Sequence, residues 1–267
     1  MILMNPRSIC VISNEISARE NGRVTVKEGR FTLGSGQATR FSGVNGPPDS
    51  LRGEELKRCA RTLARRGVNL IRIHGGAFDH KTGAFNVNFL DHYREIISAM
   101  KDEGIYSHLS IYFPLWFTPK PELETAAGYD GNSHPFGTLF FNQELQKQYL
   151  GWWTSILTTK DANGRSLNDE PALMSVELVN EDSLFFWTFN DANLPEPQKE
   201  ILKKKFFEWA LIKYGSSENI DRAWEGSKLP SDVNQRLGFR TLLQILSERT
   251  PRDQAGTIGN LVGNDLT

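Results

Sequence analysis

The sequence predicts an α/β fold, a parallel sheet covered by helices. Three observations carry that expectation. From residue 40 onward, strand-like and helix-like segments alternate, the pattern of strands paired in parallel through helical crossovers. The strand-like segments are short apolar runs ending in Gly, Pro or Asn, while the helical ones repeat their apolar residues every three or four positions. The length, 267 residues, matches one α/β barrel of about 250 residues, or two small domains.

Residues 1–39 are rich in turns and β-formers and make a short β lead-in. Arg23–Lys27 alternates, Arg30–Leu33 follows Gly29, and Gly34-Ser35-Gly36 is expected to turn a hairpin. Residues 40–267 are then expected to form the main domain. Arg40–Asn45 is a strand that stops at Gly46-Pro47-Pro48. Glu54–Arg66 places Leu56, Cys59, Ala60, Leu63 and Ala64 at helical spacing and stops at Gly67. Val68–His74 is the second strand. Phe89–Lys101 is a helix with Leu90, Tyr93, Ile97 and Met100 on one side. Ile105–Phe113 is the third strand, broken by Pro114, and a long loop with four prolines runs to about Leu139. Asn142–Leu157 is a helix in which Trp152 or Trp153 faces the core. Ala172–Asn180 is the fourth strand and Gln198–Tyr214 a helix that Gly215 ends. Ser217–Trp224 and Leu237–Ser247 have weaker helical patterns.

Composition narrows the function. Apolar residues make up 39% and charged residues 24%, which favours a packed core over disorder. Lys plus Arg (31) balances Asp plus Glu (32), which argues against nucleic acid or an anionic membrane as the main partner. No apolar run is long enough to cross a membrane. The mildly apolar start is interrupted by Pro6 and Arg7 and does not look like a signal peptide, so a cytoplasmic chain is the default expectation. Cys10 and Cys59 form neither a disulfide framework nor a zinc motif; both are expected to be small buried hydrophobes.

In a parallel barrel the chemistry sits at the C-terminal ends of the strands. Those ends carry Asn45, Arg72 and His74, Phe113 before Trp116, and Asn180-Glu181-Asp182. Side chains alternate along a strand, so Leu70, Arg72 and His74 share one face and Ile71 and Ile73 the other. The Ile face suits the helices, leaving Arg72 and His74 on the inner face. On the fourth strand the same rule groups Glu177, Val179 and Glu181, with Asn180 opposite. A glutamate at the last inward position suits acid–base work.

These motifs resemble a known group. Asp169-Glu170-Pro171-Ala172 followed by Val176-Glu177-Leu178-Val179-Asn180-Glu181 is similar to the fourth-strand signature of the retaining (β/α)8-barrel glycoside hydrolases, the clan of cellulases, β-mannanases and β-galactosidases, with family 5 the nearest. Gly29-Arg30-Phe31 with Arg40–Asn45, and Gly67–Arg72, resemble its first and second strands. Lys213-Tyr214-Gly215 through Ala223-Trp224 resembles a helical stretch of β-galactosidase-like members. The resemblance covers roughly residues 29–225 and implies a TIM barrel that cleaves β-linked oligo- or polysaccharides without a cofactor. It implies that Glu181 is the general acid/base, that Asn180 binds the sugar beside the cleaved bond, and that Arg72 supports the nucleophile. From the residues alone, Arg72 is equally a buried arginine paired with a carboxylate such as Glu177. His74 is a sugar contact or a structural histidine. Trp116 and Trp187 stack on sugar rings or anchor their loops. Asp79 and His80 are polar loop residues or, less readily, metal ligands.

One departure limits the resemblance. The clan's nucleophile is a second glutamate at the end of the seventh strand. Only 267 − 181 = 86 residues follow Glu181, whereas four further β/α units of roughly 30 residues need about 120. Glu208, Glu225 and Glu248 do not end apolar strands. The expectation is therefore an incomplete barrel of about four to five β/α units, lacking its nucleophile. Its partners would be a carbohydrate and either a second copy of the chain or a complementing C-terminal segment. The competing expectation is an inactive carbohydrate-binding or truncated barrel protein.

Overall fold

The structure, a computed structural model, describes residues 21–223 apart from Phe185 and Trp187. The expectations placed on Cys10, Trp187, Trp224, Glu225, Leu237–Ser247 and Glu248 lie outside the described residues. The chain divides into two units, each interleaved in sequence. The first comprises Met1–Phe78, Phe85–Tyr112 and Trp152–Asn180; the second comprises Asp79–Ala84, Phe113–Gly151 and Glu181–Thr267.

The first unit opens with a hairpin of β1 (Thr25–Lys27) and β2 (Arg30–Thr32), paired antiparallel. It turns at Glu28-Gly29, where φ is +51° and +72°, the two positive values a type I′ turn requires. The expected turn at Gly34–Gly36 also forms, closed by Gly36 N–H donating to Leu33 O at 2.8 Å, and it returns the chain to β2 through a bridge between Thr32 and Ala38.

The α/β pattern follows as expected. The strands β3 (Gly43–Asn45), β4 (Leu70–His74), β5 (Tyr106–Ser110) and β6 (Leu173–Glu177) form one parallel sheet in chain order. Between them run α1 (Gly53–Arg65), α2 (Val87–Asp102) and α3 (Gln143–Thr158). Each helix has a local reason to exist. In α1, the 3–4 spacing buries Leu56 and Ala60, and Glu54 and Glu55 complement the positive end of the helix. In α2, Asn86 caps the first turn by accepting from Asn88 N–H, and Leu90, Tyr93, Ile96, Ile97 and Met100 line the buried side. Ile71 and Ile73 of β4 are buried as the alternation predicts. An aromatic stack adds to this core: the rings of Phe78 and Trp152 lie parallel with centroids 4.0 Å apart, and Tyr112 sits 6.2 Å from Trp152. Both Trp152 and Trp153 are buried, whereas Cys59 is only half-buried.

The strands are shorter than the apolar runs that announced them. Ahead of β3 a side chain adds to the backbone bond from Asn69 N–H to Ser42 O: buried Asn69 accepts from Ser42 N–H at 2.7 Å and donates to Arg40 O at 2.9 Å. Beyond β6 the chain still bonds its neighbour, from Asn180 N–H to Tyr112 O at 3.0 Å.

The second unit contains the long loop after β5 and two helices, α4 (Glu196–Tyr214) and α5 (Ser217–Ala223). Pro197 is tolerated in the first turn of α4, so the helix starts two residues before the expected Gln198. Gly215, at φ +81°, ends it in the left-handed conformation. The core of this unit is Phe141, Phe189, Leu194, Leu202, Phe206, Ala210 and Ile220.

Candidate functional site

Register brings the polar residues of the first unit onto one face. Arg72 of β4 lies opposite His108 of β5, which lies opposite Ser175 of β6; one step further, His74 lies opposite Ser110, which lies opposite Glu177. Residues in register share a face of the sheet. The register shifts by one residue between Ser107 and His108, since Ser107 pairs with Leu173 and His108 with Ser175. The opposite face carries Ile71, Ile73 and Leu109, all buried.

The polar face is a connected network. Arg72 donates to Glu177 through Nε at 3.1 Å and through Nη2, to Ser110 Oγ at 3.3 Å and to Asn180 Oδ1 at 2.8 Å. Ser110 is fully buried and has one proton. Its oxygen accepts from Arg72, its hydroxyl bonds the Glu177 carboxylate, and His74 Nδ1 lies 2.9 Å from it. His108 Nδ1 lies 2.7 Å from Ser175 Oγ. Burial opposes ionisation of Glu177, but hydrogen bonds from Ser110 and Arg72, with the charges of Arg72 and His108, hold its carboxyl below its ordinary value. Burial pushes the His108 imidazole down, against the charge of Glu177 and helped by that of Arg72. The arrangement is a guanidinium–carboxylate pair flanked by two imidazoles and two hydroxyls, able to orient hydroxyl groups.

Two expectations from the alternation rule need correction. Asn180 was placed on the face opposite Glu177, yet its side chain meets Arg72 beside that carboxylate. The regular strand ends at Glu177, so the period of two does not extend to Asn180. The rule fails again at Glu181, whose φ of +47° takes the backbone into the left-handed region. Glu181 is exposed.

Glu181 and Trp116 belong to the second unit. Trp116 ends a 3-10 turn, Pro114–Trp116, and packs edge-on against Phe113 with centroids 5.7 Å apart. Its carbonyl accepts from His80 Nδ1. Asp79 holds its own loop by accepting from the N–H groups of Lys81 and Thr82 and from the Thr82 hydroxyl, and these bonds lower its carboxyl below the usual value. Both residues therefore serve as loop anchors. Among the described residues no group of three or more His, Cys, Asp or Glu could hold a metal ion.

The structure thus joins Arg72, Asn180 and, through Ser110, His74. Sequence reasoning missed Ser110, His108 and Ser175, although the alternation of His108 and Ser110 along β5 was a usable signal. It also passed over Asp182. Both Asp182 oxygens accept from Gly137 N–H, at 3.0 and 2.9 Å, and burial, opposed by bonds from the Gly137 and Ser183 backbones, pushes its carboxyl up to about 6.

No family model matches the chain, and no curated protein does. Among solved structures it is similar to a crystal structure of endogalactoceramidase, at 18% identity and a TM-score of 0.43, over 66% of this chain and 46% of that one. It is also similar to an exo-beta-1,4-mannosidase from Opitutaceae bacterium strain TAV5, at 14% identity and a TM-score of 0.41, over 79% of this chain and 36% of that one. The chain spans less than half the length of either protein.

Proposed function

We propose that the chain is part of a (β/α)8-barrel glycoside hydrolase acting on β-linked oligo- or polysaccharides by a retaining mechanism. The observation that supports this most is the Arg72–Glu177–Asn180 network at the C-terminal end of a parallel sheet, one residue before Glu181. In this reading Glu181 protonates the oxygen of the departing sugar, then takes a proton from the water that releases the product. Asn180 bonds a hydroxyl of the sugar beside the cleaved bond, and His74 and Trp116 contact neighbouring sugars, as does Trp187. A carboxylate about 5 Å from the acid/base forms the glycosyl-enzyme bond; it is supplied by a complementing segment or partner chain. Glu208 does not serve, since it lies on the exposed side of α4 near Lys204.

A second reading has its own observation. The resemblance reserves Arg72 for the nucleophile, but here Glu177 already occupies it. A chain whose arginine is neutralised from within would bind sugars without cleaving them.

Hydrolysis of a panel of aryl β-glycosides and β-glucans, by this chain together with the complementing segment that carries the nucleophile and by the same assembly with Glu181→Gln, separates the two. The first reading expects turnover that Glu181→Gln lowers by about 100-fold or more. Turnover that survives Glu181→Gln would sink it. Sugar binding without turnover selects the second reading.

A further inference from the structure

Glu181 adopts a backbone conformation that a glutamate rarely takes unaided, φ +47°. The next residue is itself tied down. The Asp182 carboxylate receives Gly137 N–H on both oxygens, 3.0 and 2.9 Å away, and also accepts from the Ser183 backbone. The far end of this clamp is itself fixed. Gly137 is left-handed, at φ +68°, and any Cβ there would come within 2.2 Å of the Phe189 ring. Phe189 is buried. The next residue, Thr138, is buried and its hydroxyl lies 2.5 Å from the Tyr129 hydroxyl. A flexible loop would offer nothing to pull against; this one is closed in by a ring on one side and a buried hydroxyl pair on the other.

We propose that Asp182 is a positioning residue, whose clamp on Gly137 holds Glu181 left-handed and so aims the acid/base carboxyl. The inference rests on the proposed role of Glu181. Asp182 itself touches no reacting atom. The groups that face it are the Gly137 and Ser183 N–H groups and, close enough to feel its charge, the Tyr129 hydroxyl. An asparagine could still accept from Gly137, and an alanine could not.

The test uses the full chain, with Asp182→Ala and Asp182→Asn. The 13Cα shift and the three-bond HN–Hα coupling of Glu181 report its φ directly. Left-handed values are expected in the unaltered chain, lost in Asp182→Ala and restored in Asp182→Asn. Left-handed values that persist in Asp182→Ala overturn the proposal. If Asp182→Ala fails to fold, Asp182→Asn decides: it must keep Glu181 left-handed, and loss of that conformation there overturns the proposal. Where turnover depends on Glu181, kcat is expected to fall at least tenfold in Asp182→Ala, with KM within twofold, and to recover in Asp182→Asn. An unchanged kcat alongside an altered Glu181 φ also overturns it. Failure of the acid/base role is seen separately, as indifference of turnover to Glu181→Gln with the Glu181 resonances still responding to Asp182.

Discussion

At the scale of single residues, the Arg72–Glu177 pair makes the sharpest energetic prediction. Both side chains are mostly buried, at 23% and 29% exposure, so removing one strands the other. Arg72→Met is expected to destabilise the chain by about 2–3 kcal/mol, and the double variant Arg72→Met/Glu177→Met to recover part of that loss. Urea denaturation of all four members of the cycle measures the coupling, and strictly additive losses would contradict it. The pH dependence has two opposed contributions. His108 and Glu177 are shifted down, so the unfolded chain binds their protons first, and acidification costs stability as pH falls below the ordinary values of 6.5 and 4.5. Asp182 is shifted up, from 3.8 to about 6, so it does the reverse: the folded chain gains stability as pH falls through that window. Asp182→Asn removes this gain together with the buried charge. It should therefore be more stable than the unaltered chain at pH 7.5, by about 1–3 kcal/mol, with the advantage shrinking by pH 4.5. Equilibrium unfolding at the two values checks the sign. The sequence made Glu177 legible as a partner for Arg72, because both positions follow from strand parity. It hid Asn180, because parity cannot announce where a strand stops.

Among the elements, α1 to α4 were legible to within two residues, since apolar spacing and the stops at Gly67, Gly104 and Gly215 are local signals. The strands were overextended, because an apolar run marks what can be extended and not what finds a ladder partner. The β1–β2 turn was missed for a chemical reason. A type I′ turn favours Asn or Asp followed by Gly, and here a glutamate fills the first of the two positive-φ positions. A non-glycine residue in that region stores strain of about 1 kcal/mol. Glu28→Asn should relieve part of it and raise the stability of the chain by about 0.5 kcal/mol; an unchanged or lower melting temperature would count against the turn assignment.

For the whole molecule, the division into two units was not legible, because each collects three stretches separated in sequence. Sequence patterns report neighbours along the chain, and this partition depends on contacts between distant segments. Part of the first core was easier to foresee: Trp152 or Trp153 was expected inside, and both are buried, Trp152 against Phe78. Trp152→Ala is expected to cost about 3–5 kcal/mol, read from denaturant unfolding. The face-to-face stack of Phe78 and Trp152 also has an optical consequence. An indole locked parallel to a second ring in a chiral, rigid surrounding gives a near-ultraviolet circular dichroism band, and that band vanishes when side chains become mobile even if the helices persist. The chain thus carries an internal reporter that distinguishes a packed first unit from a collapsed one by light absorption alone.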